Sequence, residues 1–299
     1  MLSILIPIFN QNVVRLVNTL NDQCIAANLE YQIICGDDCS DTSFKDQNQE
    51  ISSLLGVNYI EFTENVGRSK LRNKLARLAR YEYLLFIDCD SLVYTKNFIA
   101  KYLKSIEKGE LCVYGGRRYA YMPPDSNKRL HWQYGSEREA LPLRKRQKDI
   151  WLNFQSNNFL IRADWFSKIQ FDESISGYGY EDLVFSEKLK ETGIRVRHIE
   201  NMVIHEGLDD DGAFMNKTEK AMSNLAQLYQ QKKIQSTRLI ESYNLLQYII
   251  SDEKFSSFGF YCLGKVMDSL QSRRPSIFYF NLWKLCRFAN YYHALQKRF

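Results

Sequence analysis

The sequence predicts an α/β fold: a mixed, mostly parallel sheet flanked by helices, followed by a helical C-terminal extension. Three observations predict it. Short apolar runs alternate with amphipathic stretches over the first 200 residues, acids in close pairs follow two of those runs, and beyond Lys217 the spacing is helical. Strand–helix–strand alternation gives parallel sheets with helices on both faces. Ligands of such sheets bind beyond the carboxyl ends of the strands.

Taken in order, the apolar runs Ser3–Phe9, Gln32–Gly36, Val57–Phe62, Tyr83–Ile87, Leu111–Gly115, Asn158–Ile161 and Val196–Ile199 are read as strands. Val13–Ala27 and Leu71–Leu78 repeat apolar residues three and four apart, the period of a helix buried on one face. The acids fall where a ligand is expected, with Asp37 and Asp38 after the second run and Asp88 and Asp90 after the fourth. Residues 123–149 hold few aliphatics and the run LRKRQK, which predicts a flexible basic loop over the site or a solvated surface excursion. Lys217–Ile250 and Ser276–Leu295 follow helical spacing. The expected division is a catalytic domain over residues 1–215 and a basic, aromatic extension over 216–299.

Composition narrows the function. The 299 residues, 45% of them apolar, suffice for a sizeable core. The apolar opening MLSILIPIFN has no basic leader and is too short for a signal peptide, and no segment holds about 18 uninterrupted apolar residues. A soluble or peripheral, cytoplasmic protein is therefore expected. Seven cysteines without a CxxC pair are expected to be free thiols. From Glu253 onward eight Lys or Arg face two acids, which favours an anionic surface, either the inner face of a membrane or a polyanion. No basic face carries a nucleic-acid reading motif, so nucleic acid is not expected as a partner. Phe278, Leu282, Leu285, Phe288 and Tyr292 recur at helical spacing. They suit a helix lying on a membrane, or one packed on the catalytic domain or on a second copy in a homodimer.

Five constellations carry chemistry. In LLFIDCDSLV a strand delivers Asp88 and Asp90 to a turn, on the same side by strand alternation, where both can face a cation. Hard oxygen donors suit Mg2+ or Mn2+, and a diphosphate supplies the remaining ligands. A strand ending in DxD also opens phosphoryl-transfer enzymes of the haloacid dehalogenase type, but there it comes early in the fold and is followed by a downstream acid cluster that this chain lacks. In IICGDDCSD, Asp37 and Asp38 suit a base and ribose, or a simple Asx turn. In ENVGRSKLRNKLA, Arg68, Lys70 and Arg72 crowd the start of a helix, the wrong sign for its dipole unless an anion is near. In SGYGYEDLVF, aromatics alternating with glycines lead into Glu181 and Asp182. In NMVIHEG, His205 ends a short apolar run, with Met202 three residues earlier.

In this order the motifs resemble the family 2 glycosyltransferases of the GT-A fold, a Rossmann-like fold that binds nucleotide sugars. SILIPIFNQ is similar to the family's first strand, with Pro7 and Phe9-Asn10. ICGDDCSD is similar to its DDGS element, with Cys39 in place of Gly. NVGRSKLRN and FIDCDS are similar to its N-x-G-x-x-x-x-R-N and DxD elements. The resemblance runs from about Ser3 to Gly207, roughly two thirds of the chain. The stretch from Ser156 to Gly193 resembles β-galactosyl- and N-acetylgalactosaminyltransferases of the chondroitin-polymerase kind. There Tyr178 replaces the expected Trp, and Tyr180 stands where Gly is common.

The resemblance implies an inverting, metal-dependent hexosyltransferase that uses a UDP-sugar and acts in polysaccharide biosynthesis. Pro7, Asn10, Asp37 or Asp38, Arg68, Arg72 and Asp88 would bind the nucleotide. Asp90 and His205, helped by Asp88 and with Met202 three residues before His205, would hold Mn2+ or Mg2+. Asp182 would be the general base. Tyr178, Tyr180 and Glu181 would bind an oligosaccharide or lipid-linked glycan acceptor, with Glu181 and Asp182 able to exchange roles. The different-class alternative is a catalytically silent, transferase-like subunit that binds glycan or scaffolds a complex.

Overall fold

Ten strands and twelve α-helices make up the computed structural model, which describes residues 1–175, 177–270, 272 and 274–297, apart from the side chains of residues 252 and 253. The strands are β1 (Leu2–Ile8), β2 (Tyr31–Asp37), β3 (Val57–Glu61), β4 (Tyr83–Ile87), β5 (Ser91–Leu92), β6 (Cys112–Tyr114), β7 (Arg117–Arg118), β8 (Asn158–Arg162), β9 (Val196–His198) and β10 (Val203–His205). Helices α1 (Val14–Ala26), α2 (Thr42–Asn48), α3 (Arg68–Leu78), α4 (Phe98–Glu107), α5 (Arg129–Tyr134) and α6 (Leu143–Arg146) precede β8. Helices α7 (Ala163–Ile169), α8 (Glu181–Glu191), α9 (Asp211–Gln230), α10 (Arg238–Leu246), α11 (Asp252–Leu270) and α12 (Ile277–Gln296) follow it. The α/β class and the seven predicted strands are borne out, each within two residues at its ends.

The chain divides into two compact units of interleaved segments. The first comprises Met1–Tyr119, Ala140–Ser176 and Phe185–Gly207; the second comprises Ala120–Glu139, Gly177–Val184 and Leu208–Phe299. The composition boundary at residue 215 falls inside α9.

In the first unit seven strands run in the order β3-β2-β1-β4-β8-β6-β9. All pairings are parallel except those of β8, which is antiparallel to β4 and β6. A central parallel strand is covered on both faces, so β1 and β4 read as continuous apolar runs rather than alternating ones. One face packs Ile4, Ile6, Leu85, Ile87 and Leu160 with α1 and α4. The other packs Leu5, Leu84, Phe86, Phe159 and Ile161 with Leu71 and Leu75 of α3. A small second sheet, β5-β10-β7, was not predicted; β5 and β7 are two residues long and β10 three. Asn158, fully buried, ties the two sheets together. Its amide N–H groups donate to the Gly116 and Asn201 carbonyls (3.1 and 2.8 Å), and its oxygen accepts from the Tyr102 hydroxyl (2.6 Å).

Residues 123–149 correct the open-loop expectation, because they contain α5, a π-helical turn over Gly135–Glu139, and α6. Arg146 of the basic run is 1% exposed, donating to the Leu141, Gly115 and Ile199 carbonyls with its guanidinium over the Tyr114 ring. A guanidinium offers five donors, and carbonyl acceptors make its burial tolerable.

The second unit is helical. Phe214, Met215, Cys262, Val266, Ile277, Phe280 and Trp283 close its core around Leu130. The helical run expected from Lys217 to Ile250 breaks at Lys232, which adopts a left-handed backbone (φ 58°), before Thr237 caps α10. On α12, Leu285 and Phe288 are buried, Lys284 is buried with its ammonium donating to the Tyr134 hydroxyl, and Phe278 is exposed. Among the described residues no helix is long and apolar enough to cross a membrane, and none of the seven cysteines forms a disulfide.

His198 on β9 gives the first unit a pH dependence. Its ring is 2% exposed, Nε2 donates to the Ile150 carbonyl at 2.8 Å, and Nδ1 has no partner among the described residues. Burial pushes its pKa down to about 4 from 6.5, since a second N–H would find no acceptor. The unfolded chain therefore binds the proton first, and stability falls as pH drops from 6.5 towards 4. At about 1.4 kcal/mol per pH unit, the protein should lose roughly 2 kcal/mol between pH 7 and pH 5 through this group. Urea unfolding checks this, and His198→Gln should remove that part of the slope.

Candidate active site

The carboxyl ends of β2 and β4 carry the predicted acids, and that of β1 leads to Asn10. Asp37, fully buried, accepts the Ser40 N–H (2.7 Å) and the Tyr59 hydroxyl (3.3 Å). Asp38 accepts the N–H groups of Val66 and Gly67 at 2.8 and 2.9 Å, holding the lead-in to α3. Both acids thus brace the loops at the strand ends. Pro7 pairs in register with Gly36 on β2. Asn10 is left-handed (φ 48°); its N–H donates to Ser40 and its side-chain oxygen accepts from Asp41. Cys39, at the position where the resemblance expects Gly, has φ 65°. That backbone is the physical reason for Gly there, and a residue with a Cβ carries a strain of about 1–2 kcal/mol.

Asp88 stands between two guanidiniums. Arg72, almost fully buried on α3, donates to Oδ1 at 2.8 Å and lies over the Phe171 ring, while Arg117 lies 3.8 Å from Oδ2. Arg117 was missed in sequence. It belongs to β7, and the preceding pair Gly115-Gly116, packed where a Cβ would collide, was the only available signal.

Asp90 meets His205. The antiparallel pairing of β5 with β10 sets Ser91 opposite His205, and the Glu206 N–H donates to the Asp90 carbonyl at 2.8 Å. The His205 Nδ1 then lies 3.3 Å from the Asp90 Oδ1, with the Tyr119 ring edge-on to the imidazole. Burial alone would raise the Asp90 pKa; His205, Arg117 and Arg68 together outweigh it and hold the carboxyl well below the usual range. Gly207 must be Gly, because a Cβ there would come within 2.5 Å of the Asp90 Oδ2. Met202 packs against Gly116 instead.

The donor set fits a hard divalent cation. Asp90 Oδ1 is buried and, among the described residues, faces only the His205 imidazole, whose Nδ1 lies 3.3 Å away. Among the described residues no three His, Cys, Asp or Glu side chains converge, so the protein offers a partial shell of the kind completed by substrate oxygens and water. Asp88, engaged by two arginines, lies next to that pair rather than completing it.

In the second unit, Glu181 and Asp182 form the first turn of α8. Glu181 is 8% exposed; Asp182 is the more open, and its Oδ1 accepts the Leu183 N–H at 2.8 Å. The lead-in is pinned by Asn224 of α9, which donates to the Gly179 carbonyl at 2.6 Å and packs against Gly177. Tyr180, again where Gly is common, is left-handed (φ 68°), and Tyr178 presents its ring to the Lys217 ammonium at 5.8 Å.

Comparison with known proteins adds to this geometry. The family model described as glycosyl transferase family 2 matches residues 3–170. The chain is 24% identical over 308 aligned positions to the chondroitin synthase of Escherichia coli, an alignment covering 83% of this chain and 43% of that protein. The chain thus spans less than half the length of that relative. Among solved structures it is similar to TarS residues 1–349 from S. aureus, at 13% identity and a TM-score of 0.53 over 100% of this chain and 92% of that one. The same TarS fragment has been solved with UDP-GlcNAc, at 14% identity and a TM-score of 0.53 over 99% and 92%. It is also similar to the mannosyltransferase PcManGT from Pyrobaculum calidifontis in complex with GDP-Man and Mn2+, at 11% identity and a TM-score of 0.58 over 100% and 88%. At these identities the structural likeness establishes a shared GT-A fold.

Proposed function

The chain belongs to glycosyl transferase family 2, and on that premise we propose that it moves a hexose or N-acetylhexosamine from a UDP-sugar to a glycan or lipid-linked glycan, inverting the anomeric centre. The observation that carries this reading is the Asp90–His205 pair beside the arginine-clamped Asp88, at the carboxyl end of β4. Two relatives are consistent with the donor class: TarS is known in complex with UDP-GlcNAc, and the E. coli relative is a chondroitin synthase.

Asp90 and His205 would hold Mn2+ or Mg2+. When bound, such a cation stabilises the charge that develops on a departing diphosphate. Arg68, Arg72 and Arg117 add fixed positive charge on the same unit, and Asp88 orients two of them or meets the ribose. The Asp182 carboxylate takes the proton of the acceptor hydroxyl as its oxygen bonds to the anomeric carbon. The bond from that carbon to the diphosphate oxygen breaks, and its electron pair leaves with UDP. Glu181, Tyr178 and Tyr180 would receive the acceptor.

Release of UDP from UDP-galactose and the UDP-N-acetylhexosamines, with Mn2+ and with EDTA, tests the proposal. Metal-dependent release from at least one donor is the expected result. Neither release nor binding with any nucleotide sugar would overturn it.

A further inference from the structure

Asn157 is an orphan in an otherwise well-satisfied strand end. It is 2% exposed, and neither its amide oxygen nor its amide nitrogen has a hydrogen-bond partner among the described residues. Its neighbour Asn158 makes three side-chain bonds, so the contrast is not a general looseness of the segment. A buried amide with both ends unmet is costly, and native proteins keep such groups rarely and for a reason.

Its location suggests the reason. The antiparallel pairing of β4 with β8 sets Ile87 opposite Asn158, and the ladder continues one residue further, the Asp88 N–H donating to the Asn157 carbonyl at 3.0 Å. Asp88 and Asn157 are therefore directly opposed. Side chains alternate along a strand, and Phe86 and Phe159 share one face of the sheet. The same alternation puts Asp88 and Asn157 on that face, where Arg72 reaches Asp88.

We infer that Asn157 is a specificity-determining residue that hydrogen-bonds the sugar moiety of the donor, through a hydroxyl or an acetamido group; the inference rests on the donor class proposed above. An amide offers one acceptor and two donors at one point. A sugar hydroxyl or acetamide uses both kinds, whereas a phosphate uses only the donors and sets its charge against the amide oxygen. The neighbouring guanidiniums of Arg72 and Arg117 already serve anions.

The test compares wild type with Asn157→Ala and Asn157→Ser in the full chain, with Mn2+ present throughout. Calorimetry reads UDP affinity, kcat/KM is measured for UDP release from the donor that wild type uses, and thermal unfolding is followed without nucleotide. For Asn157→Ala, UDP affinity should stay within about twofold and kcat/KM should fall roughly tenfold or more, as for a lost hydrogen bond to a buried group. Ligand-free Tm should be unchanged or higher, because an unmet amide contributes nothing to folding. Asn157→Ser, which keeps a donor and an acceptor, should recover part of kcat/KM. A fall in ligand-free Tm would assign the amide to the fold and overturn the inference. An equal loss of UDP affinity would assign it to the nucleotide, and an unchanged kcat/KM would leave it no role; either overturns it too. A wild type that neither binds nor turns over any UDP-sugar removes the donor assignment itself, which the variant results alone cannot do.

Discussion

Asp90→Asn is expected to abolish the Mn2+-dependent strengthening of UDP binding and to lower transfer by roughly 10²–10⁴-fold, the span that several kcal/mol of lost metal stabilisation represents. The substitution keeps size and shape but removes the charge of the buried carboxylate whose Oδ1 faces the His205 Nδ1 at 3.3 Å. It also leaves the charges of Arg117 and Arg68 less compensated, so a modest loss of stability should accompany it. Calorimetric titration of UDP with and without MnCl2, well below the melting temperature, separates the two effects. An Asp90→Asn protein whose UDP affinity still rises normally with Mn2+ would remove Asp90 from the metal site.

The second large effect belongs to Asp182. Asp182→Asn should cut transfer by about 10²–10⁴-fold, the usual contribution of a general base, while UDP affinity in the presence of Mn2+ stays within about twofold. Of the two adjacent acids, Asp182 is the more open to solvent, and Glu181 is buried at the first turn of α8. Glu181→Gln should therefore act more on acceptor KM than on kcat. A variant pair with the reverse pattern would exchange the two roles.

Much of the first unit was legible because its strands stand out as short apolar runs and its early helices as amphipathic ones. β1 and β4 are buried on both faces and read as unbroken apolar runs, and α1 and α3 carry one apolar face each. The acids at the strand ends stood out for the opposite reason, as charges placed directly after buried segments. What they do individually was less legible. Asp37 and Asp38 suit either a nucleotide or an Asx turn by sequence, and in the structure both accept backbone N–H groups. Two departures from the resembled pattern, Cys39 and Tyr180, both turn out to be left-handed positions. A sequence can show that a Gly is missing; only the backbone shows that the conformation which needed it has been kept.

By itself, then, the sequence determined the α/β class, the order of the main strands and the chemical kinds of residue at their ends. Local periodicity and residue chemistry are properties of short stretches of chain, and each stretch announces its own. The tertiary structure decided which groups meet, of which the family resemblance had anticipated the Asp90–His205 pair. Arg117 beside Asp88, His205 beside Asp90 and the opposition of Asn157 to Asp88 bring together residues 29 to 115 positions apart. Such pairings are fixed by packing of the whole sheet, and no window of sequence contains them.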